Sequence, residues 1–293
     1  MIQGYLRVLT RVGAALAIGF ASLAAMAGDA ASLAAKHAEL RDQLANNNFK
    51  RAMVIDSAQS GDNVKGDVYA VLDHPFSLVS GKLKDPDNWC DILILPFNTK
   101  YCHAMGDTAL NVRIGRKFDQ PVQDAYKLQF DYRNLAATAT YFESRLAARE
   151  GPVGTRDYHI TVSAVPLDDK RSFMHLSYSY GVGFAGKLAM QAYLSTAGAD
   201  KVGFSVTGKD ANGQPVYMGG VRGAVERNAM RYYLAIDSYL DSLAAPAGQQ
   251  VERRIQSWFN ATERYPRQLR EMDRPTYVAM KRNEVERQQN VIQ

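Results

Sequence analysis

Residues 126–133 read YKLQFDYR, and residues 221–243 read VRGAVERNAMRYYLAIDSYLDSL. In the first run Tyr126, Leu128, Phe130 and Tyr132 alternate with Lys127, Gln129, Asp131 and Arg133, the period of a strand with one face buried. In the second, Val225, Ala229, Tyr232, Tyr233, Ile236, Leu240 and Leu243 recur at helical spacing and form one broad apolar face, ended by Pro246 and Gly248. The change of period between Val182 and Val221 predicts an α+β chain, with antiparallel strands first and a long helix near the end.

The neighbouring segments extend this pattern. Leu110, Val112, Ile114 and Phe118 alternate with polar residues, and Tyr141–Arg149, Arg156–Val165 and Ser172–Tyr180 read as further strands. Gly151-Pro152 and Asp168-Asp169-Lys170 join them, and such short loops imply an antiparallel meander. Upstream, Lys50–Ser57 and Val64–Asp73 form a hairpin around Gly61-Asp62-Asn63; His74-Pro75 then breaks the chain before a helix at Phe76–Leu83. Leu33–Leu44 reads as a short amphipathic helix stopped by Asn46-Asn47-Asn48. Phe184–Leu194 reads as a helix, and Val202–Thr207 with Pro215–Met218 reads as a hairpin around Asn212-Gly213. Residues 245–293 are charged, helical in pattern around Val251–Phe259 and Thr276–Gln289, and poor in core-forming residues, so they read as an extension.

With 46% hydrophobic and 22% charged residues in 293, the chain can bury a large core, and no repeat of solenoid or propeller type recurs. Arg7 and Arg11 precede an apolar run, Val12–Ala25, and Ala25-Met26-Ala27 follows; this order predicts a secretory signal peptide over residues 1–27, against the alternative of a membrane anchor. Anchoring is disfavoured because the run is shorter than the ~20 residues a span needs. Cleavage takes 27 residues from 293 and two arginines from a net charge of +5, leaving 266 residues and +3. Lysines and arginines lie among acids without forming a stripe, so nucleic acid is not an expected partner. Cys90 and Cys102 meet an oxidising compartment after export, which favours a disulfide between them; free thiols or metal ligation are the alternatives.

The stretch Gly66-Asp67-Val68-Tyr69-Ala70-Val71-Leu72-Asp73-His74-Pro75-Phe76, followed by Trp89-Cys90-Asp91-Ile92-Leu93, resembles the opening of START-like proteins of the SRPBCC superfamily. The order of elements over Lys50–Leu243 resembles their helix-grip fold. The resemblance implies a curved antiparallel β-sheet wrapped around a long C-terminal α-helix, with a hydrophobic, lipid-like or polycyclic ligand held between the two. With the signal and the charged tail read from the sequence, the chain divides into a signal peptide (1–27), an N-terminal helix (28–48), a START-like domain (49–244) and a charged helical extension (245–293). Some relatives are cyclases or hydrolases, which keeps an enzyme using the same cavity as one alternative; a non-catalytic envelope protein whose charged tail docks a partner is the other.

The expected ligand-binding residues are Val225, Ala229 and Tyr233 on the long helix, Tyr178 on a facing strand, and Arg222 with Glu226 as a polar handle. Arg222 and Glu226 stand four residues apart. One reading is a surface ion pair; the other is a guanidinium that grips a carboxylate or phosphate head group. The 16 tyrosines and 11 phenylalanines suit either a flat apolar ligand or an ordinary core. His159 and His175, on adjacent strands, could meet across the sheet, but no metal, triad or phosphate-binding motif accompanies them. No catalytic residue, metal or cofactor is therefore assigned.

Overall fold

The computed structural model describes residues 29–196 and 198–289, so the expected signal peptide lies outside the described residues. The helices are α1 (residues 29–39), α2 (Arg41–Ala45), α3 (Phe76–Leu83), α4 (Pro86–Leu93), α5 (Phe184–Leu194), α6 (Gly220–Ser242), α7 (Ala247–Glu263), α8 (Pro266–Leu269) and α9 (Arg274–Gln288). The strands are β1 (Met53–Ser60), β2 (Asn63–Leu72), β3 (Thr99–Ala104), β4 (Ala109–Ile114), β5 (Tyr126–Ala137), β6 (Phe142–Glu150), β7 (Thr155–Pro166), β8 (Ser172–Val182), β9 (Val206–Lys209) and β10 (Pro215–Tyr217). Eight strands form one sheet in the order β1-β2-β8-β7-β6-β5-β4-β3, antiparallel throughout, and β9 pairs with β10 apart from it.

This is the α+β, helix-grip architecture: a large antiparallel sheet carries the long helix α6 on one face, chiefly against β2, β1 and β8. Alternation works as expected in β5, where Leu128, Phe130 and Tyr132 are buried between exposed polar neighbours. The β1–β2 turn is closed by Gly61 at φ +57°, a conformation most side chains avoid. Asp85 caps α4 by accepting from the Asp87 N–H at 3.0 Å, with Pro86 in the first turn. Cys90 of α4 and Cys102 of β3 form a disulfide, as compartment and pairing predicted.

Two expectations are corrected and one strand is added. Phe118 lies beyond β4, which ends at Ile114, and is 55% exposed. The segment Thr99–Ala104 is a strand that alternation does not reveal, because four successive residues are buried between the core and α9. Residues 245–293 are not a detached extension over their described part. Ile255, Trp258, Phe259, Leu269 and Tyr277 join the main hydrophobic core; Trp258 stacks on Tyr277, and Phe97 meets both edge-on, with ring centroids 4.9–5.3 Å apart. Composition hid this because a few large aromatics do the packing on helices whose other faces are charged.

An ionic knot fastens α9 to β3. Lys100 and Lys281 both donate to Glu284, at 2.9 and 2.7 Å, and Lys281 also reaches the carbonyls of Pro96 and Thr99 at 2.7 and 3.0 Å. All three charged side chains are fully buried. On the opposite face of the sheet, α1 and α2 cover a smaller cluster that includes Leu33, Leu40, Leu44 and Phe173.

Candidate functional site

Helix α6 lies so close to β2 that an added Cβ at Gly66 would stand 3.2 Å from the Ala229 Cβ and from the Val225 carbonyl oxygen. Glycine at that point brings the helix onto the strand, and Val225 and Ala229 are buried in the contact. Tyr233 is fully buried with the Arg51 guanidinium 5.0 Å from its ring, and its hydroxyl has no partner among the described residues. Burial, reinforced by Asp237, pushes that phenol well above its ordinary range.

Arg222 and Glu226 do not pair with each other; both converge on Ser57 of β1. The Arg222 guanidinium donates to the Ser57 hydroxyl at 3.1 Å and to its carbonyl, while that hydroxyl donates to Glu226 at 2.6 Å. The second Glu226 oxygen accepts the backbone N–H groups of Phe204 and Ser205 at 2.6 and 2.9 Å. As the structure stands, these two side chains tie α6 to β1 and to the segment leading into β9.

The neighbouring face of α6 is aromatic and cationic. Tyr178 meets Tyr158, Tyr180 and Tyr232 with ring centroids 5.2–6.3 Å apart. Next to them Arg227, only 2% exposed, makes one long hydrogen bond, 3.4 Å to the Tyr193 hydroxyl, and a terminal nitrogen of its guanidinium has no partner among the described residues. Arg231 donates to Glu271 at 2.6 Å and to Asn228 at 3.2 Å, and its Nε is unpartnered. Lys117 also holds Glu271, at 2.7 Å, and stands 5.4 Å over the Tyr193 ring.

One carboxylate thus serves a cluster dominated by cations. Burial would raise the Glu271 carboxyl, but Arg231 and Lys117 hold it below its usual range. Burial would likewise raise the Tyr193 phenol, and Lys117 and Arg227 pull it lower instead. The Lys201 ammonium is lowered by burial and by Lys117 and Arg231, although Glu271 opposes them. Each shift favours added negative charge here.

An apolar pocket of about 290 Å³ adjoins this cluster, lined by Val64, Val182, Met190, Leu194 and Val221, with Lys187 and Asp62 paired at 2.6 Å beside it. Val64 lies directly opposite Tyr180 in the β2–β8 register, and Val182 is two residues along the same strand face. Tyr193, which Arg227 contacts, precedes the pocket residue Leu194 on α5. The link between pocket and cluster runs through neighbours, Val64 and Val182 beside Tyr180 on the sheet and Leu194 beside Tyr193 on α5; Arg227 itself does not line the pocket.

Sequence reasoning placed Tyr178 in this region but missed Arg227 and Arg231. A signal was available: neither arginine has an acid three or four residues away on its own helix, so neither has a local partner. The two histidines do not meet. His159 lies opposite Ala147 and Ser179, whereas His175 lies opposite Tyr69 and Ser163, stacks on Tyr69 at 4.3 Å and hydrogen-bonds Asp67 at 2.7 Å. Among the described residues no cluster of three or more His, Cys, Asp or Glu could hold a metal ion, and no helix is long and apolar enough to cross a membrane.

No protein-family model matches the sequence, and no curated protein matches it. Among solved structures, a conserved protein from Geobacillus kaustophilus is similar at 12% identity, covering 60% of this chain and 95% of its own, with a TM-score of 0.36. A point mutant of Thalictrum norcoclaurine synthase, in complex with a transition-state analogue, is similar at 14% identity over 50% of this chain and 88% of its own, with a TM-score of 0.32. A protein from Arthrobacter aurescens shows 16% identity over 66% of this chain and 92% of its own, with a TM-score of 0.32. None of the three transfers a function to this chain.

Proposed function

We propose that this protein is an exported START-like member of the SRPBCC superfamily that binds or carries a small hydrophobic molecule bearing one anionic group. The apolar part enters the pocket beside α5, and the anion meets Arg227. The observation that carries this reading is the Arg227 guanidinium, buried without a carboxylate partner among the described residues and in contact with Tyr193, the residue before Leu194 of the apolar pocket. A buried charge left unpaired costs several kcal/mol, so its retention fits a function that supplies the missing anion. The pocket volume lies at the lower end of the ~300–1,000 Å³ of small-molecule sites, which suits one ring system or a short acyl chain. Export is supported by the Arg-flanked apolar run before Ala27 and by the Cys90–Cys102 bridge, since such bridges persist in oxidising compartments.

The test compares octanoate with octanol by calorimetry. Octanoate is expected to bind more tightly by about 10- to 100-fold, the equivalent of one charge-assisted contact, and Arg227→Met should remove that preference while retaining octanol binding. Equal binding of the two ligands by the parent protein overturns the anion reading. N-terminal sequencing of the secreted chain is expected to begin at Gly28; an intact Met1 on a cytoplasmic product refutes export.

A further inference from the structure

The outer edge of β1 carries one buried residue, Ile55, whose N–H and C=O both lack a partner among the described residues. β1 is first in the sheet order, and the Val71 N–H bonds to the Ala52 carbonyl in a register that pairs Met53 with Ala70. Even-numbered residues of β1 therefore turn their backbone groups toward β2, while Met53, Ile55, Ser57 and the exposed Gln59 turn theirs off the sheet. Three of those outward groups are capped. The Met53 N–H bonds to the Arg51 carbonyl at 2.8 Å, the Ser57 N–H to the Asp56 carboxylate at 2.7 Å, and the Ser57 carbonyl accepts from Arg222. The Ile55 N–H and C=O have no partner among the described residues, although Ile55 is only 8% exposed. Buried backbone groups are nearly always paired, so this pair marks a place where something else bonds.

The edge opens into a groove of about 260 Å³ between the end of α2, β1 and the β9–β10 hairpin. Phe49, Phe204 and Tyr265 form an aromatic trio along it, with centroids 5.4–6.2 Å apart. Gln268, 7% exposed, lines the groove and its side-chain amide makes no hydrogen bond to the described residues. The lining contains asparagines, glutamines, aromatics and aliphatics, and no carboxylate, lysine or arginine.

We propose that this groove binds a short, uncharged stretch of extended polypeptide, added to the sheet at β1. One peptide residue exchanges both backbone hydrogen bonds with Ile55, an apolar or aromatic side chain packs among Phe49, Phe204 and Tyr265, and the Gln268 amide pairs with the next peptide unit. The caps on the Met53 N–H and on both backbone groups of Ser57 limit the two-bond exchange within the groove to that single residue. Absence of carboxylates, lysines and arginines from the lining selects a neutral segment, and an amide faces an amide. This site is separate from the Arg227 region and stands independently of it.

The test uses isotope-labelled protein and a pool of capped tripeptides randomised at all three positions. At millimolar pool, the Ile55 amide resonance should shift and its hydrogen exchange should slow by about tenfold or more, as a bound partner protects it. The same pool N-methylated at the central residue should bind about tenfold less tightly, because the donor to the Ile55 carbonyl is gone. Gln268→Leu should weaken the tripeptide pool without altering the melting of the free protein. No shift at Ile55 with the pool, or equal shifts with the N-methylated pool, overturns the proposal, and so does a response to neutral oligosaccharides in place of peptides. The N-methylated arm leaves the protein unaltered, so a folding defect cannot imitate its result.

Discussion

Glu226→Ala should be among the most damaging single substitutions in this protein. The carboxylate is fully buried and accepts three hydrogen bonds, from the Ser57 hydroxyl and from the N–H groups of Phe204 and Ser205. Alanine leaves those donors without an acceptor, at about 1–3 kcal/mol for each buried unsatisfied group, and frees Arg222 from a neighbouring negative charge. Allowing for relaxation, a loss of about 3–5 kcal/mol is expected, a large share of the ~5–15 kcal/mol by which a domain is stable. Glu226→Gln separates hydrogen bonding from charge. Its carbonyl oxygen can still accept both backbone N–H groups and its amide can donate to Ser57, so about 1–2 kcal/mol is expected, the charge-assisted part of the bonds. Urea unfolding followed by circular dichroism measures both variants, with an unchanged slope as the control. If alanine costs under about 1 kcal/mol, or glutamine costs as much as alanine, the three-way tie between α6, β1 and the Phe204 segment is not what stabilises that corner.

Three further outcomes follow from the packing. Paired replacement of Cys90 and Cys102 by alanine should destabilise by about 3 kcal/mol, and the unreduced protein should leave both sulfurs unlabelled by alkylating reagents; labelling of both contradicts the bridge. Gly66→Val should drive α6 off β2, lowering the melting temperature by several degrees, whereas Gly208→Val, at a position open to solvent, should change it little. Lys281 is lowered to about 8 by burial, with Lys100 adding to the effect and Glu284 opposing it. Between pH about 8 and 10.5 the unfolded chain then holds a proton that the folded chain has released, so stability should rise with pH across that window. Urea midpoints of the parent should climb there, and those of Lys281→Met should lose that component; parallel slopes refute the assignment.

The strands most readable from sequence are those whose partners lie on one side only. β5 alternates because one face meets the core and the other meets water. α6 keeps a helical recurrence of apolar residues although it is buried nearly all round, between the sheet and α7, because polar residues such as Glu226, Arg227 and Arg231 fill its other sides. β3 gives no alternation because α9 covers what would be its outer side. The tail conceals its role for a related reason: Trp258 and Tyr277 are sparse among charges, and only the folded chain brings them onto Phe97. At the site, Tyr178 could be placed from strand parity, but Arg227 and Arg231 acquire meaning through Tyr193, Lys117 and Glu271, which come from distant parts of the sequence. Arg222 and Glu226 looked like partners by spacing, and Ser57, 165 and 169 positions away, takes both.

The two borders of the sheet are finished differently. On the β3 side, the disulfide to α4 and the Lys281 ammonium at the Thr99 carbonyl occupy the margin, and Arg287 approaches the Lys100 carbonyl at 3.5 Å. On the β1 side, Ile55 keeps its backbone groups available. Strand-by-strand growth of a fibre requires every unit to present two receptive margins, one to accept and one to offer. A sheet with a single receptive margin can meet one copy of itself across a two-fold axis and go no further, so this asymmetry stops edge-to-edge growth of the eight-stranded sheet at a pair.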